Sequence, residues 1–414
     1  MVYRCQGMAD NCGMCLELAD KYQCGWCHDH CDVEEECIQR KRHTYNSWLN
    51  KHQTCPDPQI LDFYPKSGPI EGGTNITIRG INLGRSFEDI MHGVHIAHEQ
   101  NGVTIGLINC IPFRELYVKT AQITCQVQES IISNGHGSLI KIISGVVIVK
   151  VLGDYTAKSR DRFSFVSPTM LDFKPTKGPV SGGTLLTISG FNMNAGSKVE
   201  VFVGKQPCQV VHRDSSKVNC ITSERSTVGE DKVRVKFDNG WRTLDKTKFK
   251  HVKNPEINSV ESGPSSPGGS PKGIPSGGIN VIVQGSNLDS VSHPLMFVEV
   301  DGVRYNQSCT NESSTMIRCL TPAVPIEKLK FSKGQDFVEL DYGFIMDNVA
   351  TVQDLTKREK NPFNRFMMYQ NPQYYTFPQP SGIKYYKSDY LTINVSTRNL
   401  FFCFCFFFFL FAYS

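Results

Sequence analysis

Eight cysteines, Cys5, Cys12, Cys15, Cys24, Cys27, Cys31, Cys37 and Cys55, fall in the first 55 residues, half of the sixteen in the chain. No other feature restricts the fold so tightly. A segment this short, with its larger apolar residues at Leu16, Leu18, Tyr22, Trp26, Val33, Ile38, Trp48 and Leu49, draws at most about 3–5 kcal/mol from its own core. Disulfides closing short loops contribute on the order of 2–4 kcal/mol each, and four of them hold a loop-rich knot together. An even, dense set of cysteines reads as such a framework and places the folded chain in an oxidising compartment.

The stretch CGWCHDHC, Cys24 to Cys31, admits other chemistry. Cys24-x-x-Cys27 has the spacing of a thiol oxidoreductase, but that site needs a strand opening into a helix within a βαβ unit, and no such pattern flanks it. With His28 it matches a c-type haem attachment, which leaves six cysteines unused and no apolar pocket beside them. Zinc competes more strongly, because Cys12-x-x-Cys15 and Cys24-x-x-Cys27 together supply four thiolates. The spacer between the pairs is shorter than the roughly 15–20 residues of a zinc ribbon, and His28, His30 and four further thiols are left over. The framework reading therefore expects no metal, no cofactor and no catalytic residue.

The rest of the chain repeats itself. Pro58 to Leu83, PQILDFYPKSGPIEGGTNITIRGINL, matches Pro168 to Met193, PTMLDFKPTKGPVSGGTLLTISGFNM. A looser third copy runs from Pro255 through a Gly/Pro/Ser insertion to Pro275-Ser-Gly-Gly-Ile and Leu288, and a fourth starts at Pro372 without the Gly-Gly pair. Ile60, Leu61 and Phe63 read as a first strand, Pro-x-x-Gly-Pro as a turn, and Gly-Gly as backbone that other residues resist. Then Ile76 and Ile78, or Leu186 and Ile188, alternate with polar neighbours as a half-buried strand. The two-residue period returns at Val199, Val201 and Val203, at Val233, Val235 and Phe237, and at Val298 and Val300. No sustained helical period occurs between Cys55 and Leu400. The predicted fold is mainly β: a small disulfide-rich knot at 1–56, then tandem immunoglobulin-like β-sandwiches at 57–167, 168–253 and 254–370, and a truncated start of another at 371–400.

Each complete repeat carries two cysteines, Cys110 with Cys125, Cys208 with Cys220 and Cys309 with Cys319, the count for one internal bridge. Sequons at Asn75, Asn306, Asn311 and Asn394 are candidate glycosylation sites and agree with an oxidising compartment. The net charge of +4 favours neither a nucleic-acid wrap nor an acidic substrate, and Arg40-Lys41-Arg42 reads as a solvated loop. MVYRCQGMAD at the N-terminus has no signal-peptide pattern. The Phe-rich run at 401–414, with Cys403 and Cys405, is shorter than the roughly 20 residues of a spanning helix and reads as a translation artefact.

These residues resemble the extracellular stalk of a plexin, the receptor class for semaphorins, most closely of the A type. The CGWC cluster is similar to a PSI module, and the repeats are similar to IPT/TIG domains, over Cys5 to about Asn399. YVKTAQITCQVQES at Tyr117 to Ser130, FSFVSPT at Phe163 to Thr169, SGGTLLTISGFNMNAGSKV at Ser181 to Val199 and DYGFIMDNV at Asp341 to Val349 carry the likeness beyond the generic module. Eight cysteines allow on the order of a hundred pairings. The resemblance alone implies Cys5 to Cys24, Cys12 to Cys55, Cys15 to Cys31 and Cys27 to Cys37, with His28 and His30 as exposed loop residues.

The resemblance further implies a non-catalytic spacer on the extracellular side of the plasma membrane, in a single-pass receptor for cell guidance. Semaphorin would bind the parent's propeller, which this sequence lacks, and the membrane would be reached only through a missing C-terminal region. Receptor–receptor contacts are the other partners implied, and nucleic acid is not one. Two alternatives share the modules. One is the stalk of a hepatocyte-growth-factor-type receptor tyrosine kinase. The other is an IPT-containing DNA-binding transcription factor, for which an Arg-rich recognition loop is expected.

Overall fold

The computed structural model describes residues 4–40, 48–133, 139–262, 270–332, 334–356, 363–374 and 397–398. The chain is mainly β, and its contacts divide it into two compact units. One comprises Met1–Lys174, Leu186–Thr222 and Asp231–Lys248; the other comprises Pro175–Leu185, Ser223–Glu230 and Phe249–Ser414.

The first unit opens with the knot. Helix α1 (Cys12–Leu16) is capped by Asn11, whose side-chain oxygen accepts from the Met14 N–H, satisfying a donor that a helix start otherwise leaves unpaired. Strand β1 (Cys24–Cys27) lies between β2 (His30–Val33) and β3 (Trp48–Leu49). Helix α2 (Glu34–Arg40) carries three glutamates in its first turn, where the helix dipole favours negative charge. The interior is largely sulfur: Cys5, Cys15, Cys24 and Cys31 cluster with Ala9, and Cys12 and Cys55 with Leu16. Cys5 is bonded to Cys24, Cys12 to Cys55, Cys15 to Cys31 and Cys27 to Cys37, with Cα separations of 5.6 to 5.8 Å, inside the usual disulfide range. Cys24 and Cys27 thus bind different partners.

The first sandwich comprises β4 (Gln59–Tyr64), β5 (Ser67–Pro69), β6 (Asn75–Ile81), β7 (Val94–Gln100), β8 (Val103–Pro112), β9 (Gln122–Val127), the small hairpin β10 (Ile131–Ser133) and β11 (Leu139–Lys141), β12 (Ser144–Val151) and β13 (Tyr155–Val166). Strand order is β4-β6-β9-β8-β7-β12-β13-β5. Strand β8 changes partner along its length: its first part pairs with β7, and Cys110 to Pro112 pair with β9. Ile76, Ile78, Phe63, Ile96, Ile123, Val147, Val149 and Phe163 fill the space between the layers, as a strand with alternate side chains on opposite faces requires.

The second repeat has β14 (Thr169–Lys174), β15 (Lys177–Pro179), β16 (Leu185–Phe191), β17 (Val199–Val203), β18 (Gln206–Arg213), β19 (Lys217–Thr222), β20 (Gly229–Phe237) and β21 (Gly240–Val252). The third has β22 (Glu256–Glu261), β23 (Lys272–Gly273), β24 (Asn280–Ser286), β25 (Leu295–Val300), β26 (Val303–Asn311), β27 (Met316–Leu320), β28 (Phe337–Ile345) and β29 (Phe366–Tyr369). Both follow the order of the first, β14-β16-β19-β18-β17-β20-β21-β15 and β22-β24-β27-β26-β25-β28-β29-β23. In the second unit Val281, Val283, Met296, Val298, Ile317, Tyr342, Phe344 and Phe366 form the third core. One bridge sits in each sandwich, Cys110 to Cys125, Cys208 to Cys220 and Cys309 to Cys319.

Leu61, within the apolar run of the first strand, is 63% exposed, while Ile60 and Phe63 are buried. A register shift between Ile60 and Asp62 explains it, since an extra residue in one strand turns a side chain away from its expected face. The same irregularity recurs between Met170 and Asp172 and between Ile257 and Ser259. Of the predicted unit at 371–400, only its first residues and a short pair, β30 (Gln373–Tyr374) with β31 (Thr397–Arg398), are described. The run at 401–414 lies outside the described residues. Among the described residues, no helix is long and apolar enough to cross a membrane.

Truncating Ile78, fully buried, to alanine is expected to destabilise the first sandwich by about 2–5 kcal/mol. Leu61→Ala should stay within about 0.5 kcal/mol of the parent. Urea unfolding of the two variants followed by fluorescence checks the contrast.

Candidate functional site: the module junctions

The residues whose chemistry invited attention do not converge. His28 is exposed in a turn. His30 is not an exposed loop residue: it belongs to β2 and is partly buried, with Nδ1 2.8 Å from Asp29 Oδ1 and Nε2 3.4 Å from Asp32 Oδ2. Among the described residues, no group of three or more His, Cys, Asp or Glu is placed to hold a metal. Asn75, Asn306 and Asn311 are exposed strand residues, and the Asn311 amide donates to the Val291 carbonyl at 2.7 Å. Asn394, Cys403 and Cys405 lie outside the described residues.

What the structure does concentrate is polar contact where one module meets the next. Within the first unit, the knot is pinned to the first sandwich by Arg85. Its guanidinium reaches Glu17 Oε1 at 3.3 Å and donates to the carbonyls of Leu16, Lys51 and Gln53. Lys119 Nζ adds a contact to Glu17 Oε2 at 3.0 Å. Asn82 works in both directions, accepting from the Gly13 N–H at 2.9 Å and donating to the Pro56 carbonyl at 3.1 Å. The loop carrying these groups is held by Tyr117, whose hydroxyl donates to the Gly84 carbonyl at 2.7 Å. Burial pushes that hydroxyl up to about 12, so it remains a donor at any physiological pH.

The Gly-Gly-Thr repeat makes the next junction. Gly72 and Gly73 have φ of 73° and 86°, a region that side-chain-bearing residues enter at a cost. A Cβ on Gly73 would lie 2.5 Å from the Asn239 side chain. The bare turn therefore seats the Asp238-Asn239 hairpin tip between β20 and β21. Asn239 N–H donates to the Gly72 carbonyl at 3.3 Å, and Thr74 Oγ1, fully buried, donates to Asp238 Oδ2 at 2.6 Å. Asp238 also accepts from Ser197 N, Ser197 Oγ and Lys198 N. Arg242 closes the seam, its Nη1 and Nη2 facing the two oxygens of Glu71 at 2.9 and 3.3 Å, a fork that fixes angle as well as distance.

The second unit repeats the arrangement with different residues. Gly182 and Gly183 have φ of 70° and 84°, and a Cβ on Gly183 would lie 2.5 Å from Asn348. Asn348 N–H donates to the Gly182 carbonyl at 3.2 Å, and Thr184 Oγ1 to Asp347 Oδ2 at 2.6 Å. Lys177 pairs with Asp289, and Asn254 accepts from Ser181 N–H at 3.1 Å. A third turn, Gly277-Gly278, has the same angles of 70° and 81°, and Asn371 accepts from Ser276 N–H at 3.1 Å. Ile279 stands where the other copies have threonine.

The Gly-Gly turns were recognisable in the sequence, but their partners were not. Asp238 and Asp347 lie 164 and 163 residues from the threonines they bind. The signal that could have found them is the recurrence of Asp-Asn after an apolar strand, in VKFDNG and GFIMDNV.

Against known proteins, the profile of the IPT/TIG domain matches residues 58–159 and 168–250, and that of the PSI module, the plexin repeat, matches 4–56. A disulfide-rich PSI module joined to IPT/TIG sandwiches of this kind defines a class of modular β chains. Plexin-A4 of Homo sapiens is 33% identical over 387 residues, covering 92% of this chain and 19% of that protein. Plexin-2 of Caenorhabditis briggsae is 31% identical over 396 residues, covering 94% and 20%. The solved plexin A4 full extracellular region, domains 1 to 10, superposes with a TM-score of 0.72 at 31% identity, over 90% of this chain and 30% of that one. The chain is similar to the plexin family over about nine tenths of its own length. It spans about a fifth of the length of the relatives it matches.

Gly73→Ala should lower the thermal transition of the first unit by the equivalent of about 1–3 kcal/mol, since alanine meets both Asn239 and an unfavourable φ. Thr184→Val should cost the second unit about 1–3 kcal/mol by removing the buried hydroxyl that donates to the partly buried Asp347 carboxylate. Calorimetry of each variant reads the shift.

Burial pushes the Asp347 carboxyl above its usual value of 3.8, against the opposing pull of the Thr184 hydroxyl and His293. A raised folded pKa means that the charged form is the one disfavoured at the junction. Its stabilising contribution is therefore complete below the unfolded value and is lost as pH rises through the folded one. Acidifying from about pH 7 toward about pH 4 should raise the second unit's transition in the parent relative to Asp347→Asn, as measured by melting across a pH series.

Proposed function

We propose that this chain is a non-catalytic extracellular spacer of a plexin-type semaphorin receptor, setting the geometry between a ligand-binding head and the membrane. The observation that carries the reading is the recurring junction, in which a glycine turn of one module seats the Asp-Asn tip of the next and a buried threonine hydroxyl fastens it. Such contacts resist rotation between neighbours, where a plain linker would leave relative domain motion as the default. The likeness to plexin-A relatives over 92% of the chain supports this receptor class over the kinase and transcription-factor alternatives.

In this reading the modules are the knot at 1–56, IPT domains at 57–167, 168–253 and 254–370, and the start of another at 371–400. The bridges of the knot and of the first two sandwiches are structural, and Asn75, Asn306, Asn311 and Asn394 are the glycan acceptors. Semaphorin contacts the head of the receptor, and the spacer acts through distance and angle, which decide whether two receptors can pair.

The test is a graft. Replacing the matching segment of Plexin-A4 with this chain should preserve the cellular response to semaphorin. The same graft carrying Gly73→Ala and Gly183→Ala should bind semaphorin with unchanged affinity while the response falls. A full response with both junctions disrupted would refute the mechanical role, and so would failure of the intact graft to respond despite normal display and binding.

A further inference from the structure

The disulfides in the described residues differ in access. Thirteen of their cysteines are buried, none above 4% exposed. Cys309 is the exception, partly buried at the rim of the third core. Its place in the sheet differs as well. In the first sandwich Cys110 lies opposite Val127, and Cys125 opposite Pro112. In the second Cys208 lies opposite Thr222, and Cys220 opposite Val210. Those bridges run diagonally across the ladder, with Cα separations of 5.4 and 5.5 Å.

In the third sandwich Cys309 and Cys319 are themselves the opposed pair, and their Cα atoms are 4.1 Å apart. That is closer than the roughly 4.4–6.8 Å usual for a disulfide and closer than the roughly 4.5 or 5.5 Å of opposed residues in an antiparallel ladder. The bridge also sits where β26 changes partner: Leu295 to Val300 of β25 pair with Val303 to Ser308, and pairing with β27 begins at Cys309. An attacking thiolate needs a sulfur it can reach, and among the described bridged cysteines Cys309 is the one that is not fully buried.

We propose that Cys309–Cys319 is a thiol–disulfide exchange site, whose co-reactant is a dithiol of the small-molecule or thioredoxin-like oxidoreductase class. One thiolate of the dithiol attacks Cys309 Sγ. The bond to Cys319 breaks, its electron pair leaves on Cys319 Sγ, which takes up a proton, and a mixed disulfide forms on Cys309. The second thiol of the reagent loses its proton and attacks its own partner sulfur in that mixed disulfide. This closes the oxidised reagent and releases Cys309, which is protonated in turn. The dithiol is oxidised by two electrons, and the cystine is reduced to two thiols. Opening the bridge frees the point at which β26 passes from one partner strand to the other, leaving the diagonal bridges and the N-terminal knot closed.

The experiment uses the intact, folded chain. Any free thiols are first blocked with one alkylating reagent. Limiting dithiothreitol is added under native conditions, and new thiols are trapped at intervals with a mass-distinct reagent and located by peptide mass spectrometry. Cys309 and Cys319 should acquire the second label together, at least about tenfold faster than Cys110, Cys125, Cys208, Cys220 and the knot cysteines. A thioredoxin lacking its resolving cysteine should be captured on Cys309. Labelling of any other pair first or at a comparable rate, absence of labelling before denaturation, or capture on Cys319 instead would overturn the assignment.

Discussion

A turn that only glycine enters freely is the constraint on which the sandwich array rests. Gly72-Gly73 and Gly182-Gly183 hold φ near 70° to 86°, which lets the chain reverse between the Gly-Pro bend and the second strand of each sandwich. Because these turns carry no Cβ, they also leave room for a neighbouring hairpin tip. The same two residues thus close a sandwich on itself and open it to the next. Around that contact the electrostatics follow: a threonine hydroxyl fully or almost fully buried beside the turn, a carboxylate brought to it at 2.6 Å, and flanking ion pairs at the rim.

The knot solves a different problem by different means. A segment of some fifty residues cannot bury enough apolar surface to fold alone, and here sulfur takes the place of side-chain packing. Its attachment to the first sandwich is correspondingly polar and directional. Arg85 contacts three carbonyls and a carboxylate, so the knot is oriented by hydrogen bonds instead of by a shared apolar core. Covalent stiffness within the module and directional bonds at its edge together suit a part whose task is to hold an angle.

The mainly β fold was legible because its signals are local. Alternation at Ile76 and Ile78, Leu186 and Ile188, and Val233, Val235 and Phe237 is a property of neighbouring residues, and each of these side chains is buried. The outward turn of Leu61 was not legible, since a bulge depends on the register of two strands and leaves no mark in one. The same limit hid the junctions. A threonine after two glycines looks like the start of a strand, and nothing near it announces a carboxylate more than a hundred and sixty residues away. His30 was misplaced for a related reason: its setting between Asp29 and Asp32 comes from pairing with β1, which the spacing of cysteines does not reveal.

Because the glycine pair serves both the bead and the joint, neither can be altered there without disturbing the other. The position that follows it, Thr74, Thr184 or Ile279, is different: its side chain can change while the backbone path remains the same. A lineage could therefore retune the play in such a string by point substitutions at that one place, loosening or tightening individual links without redesigning a single bead.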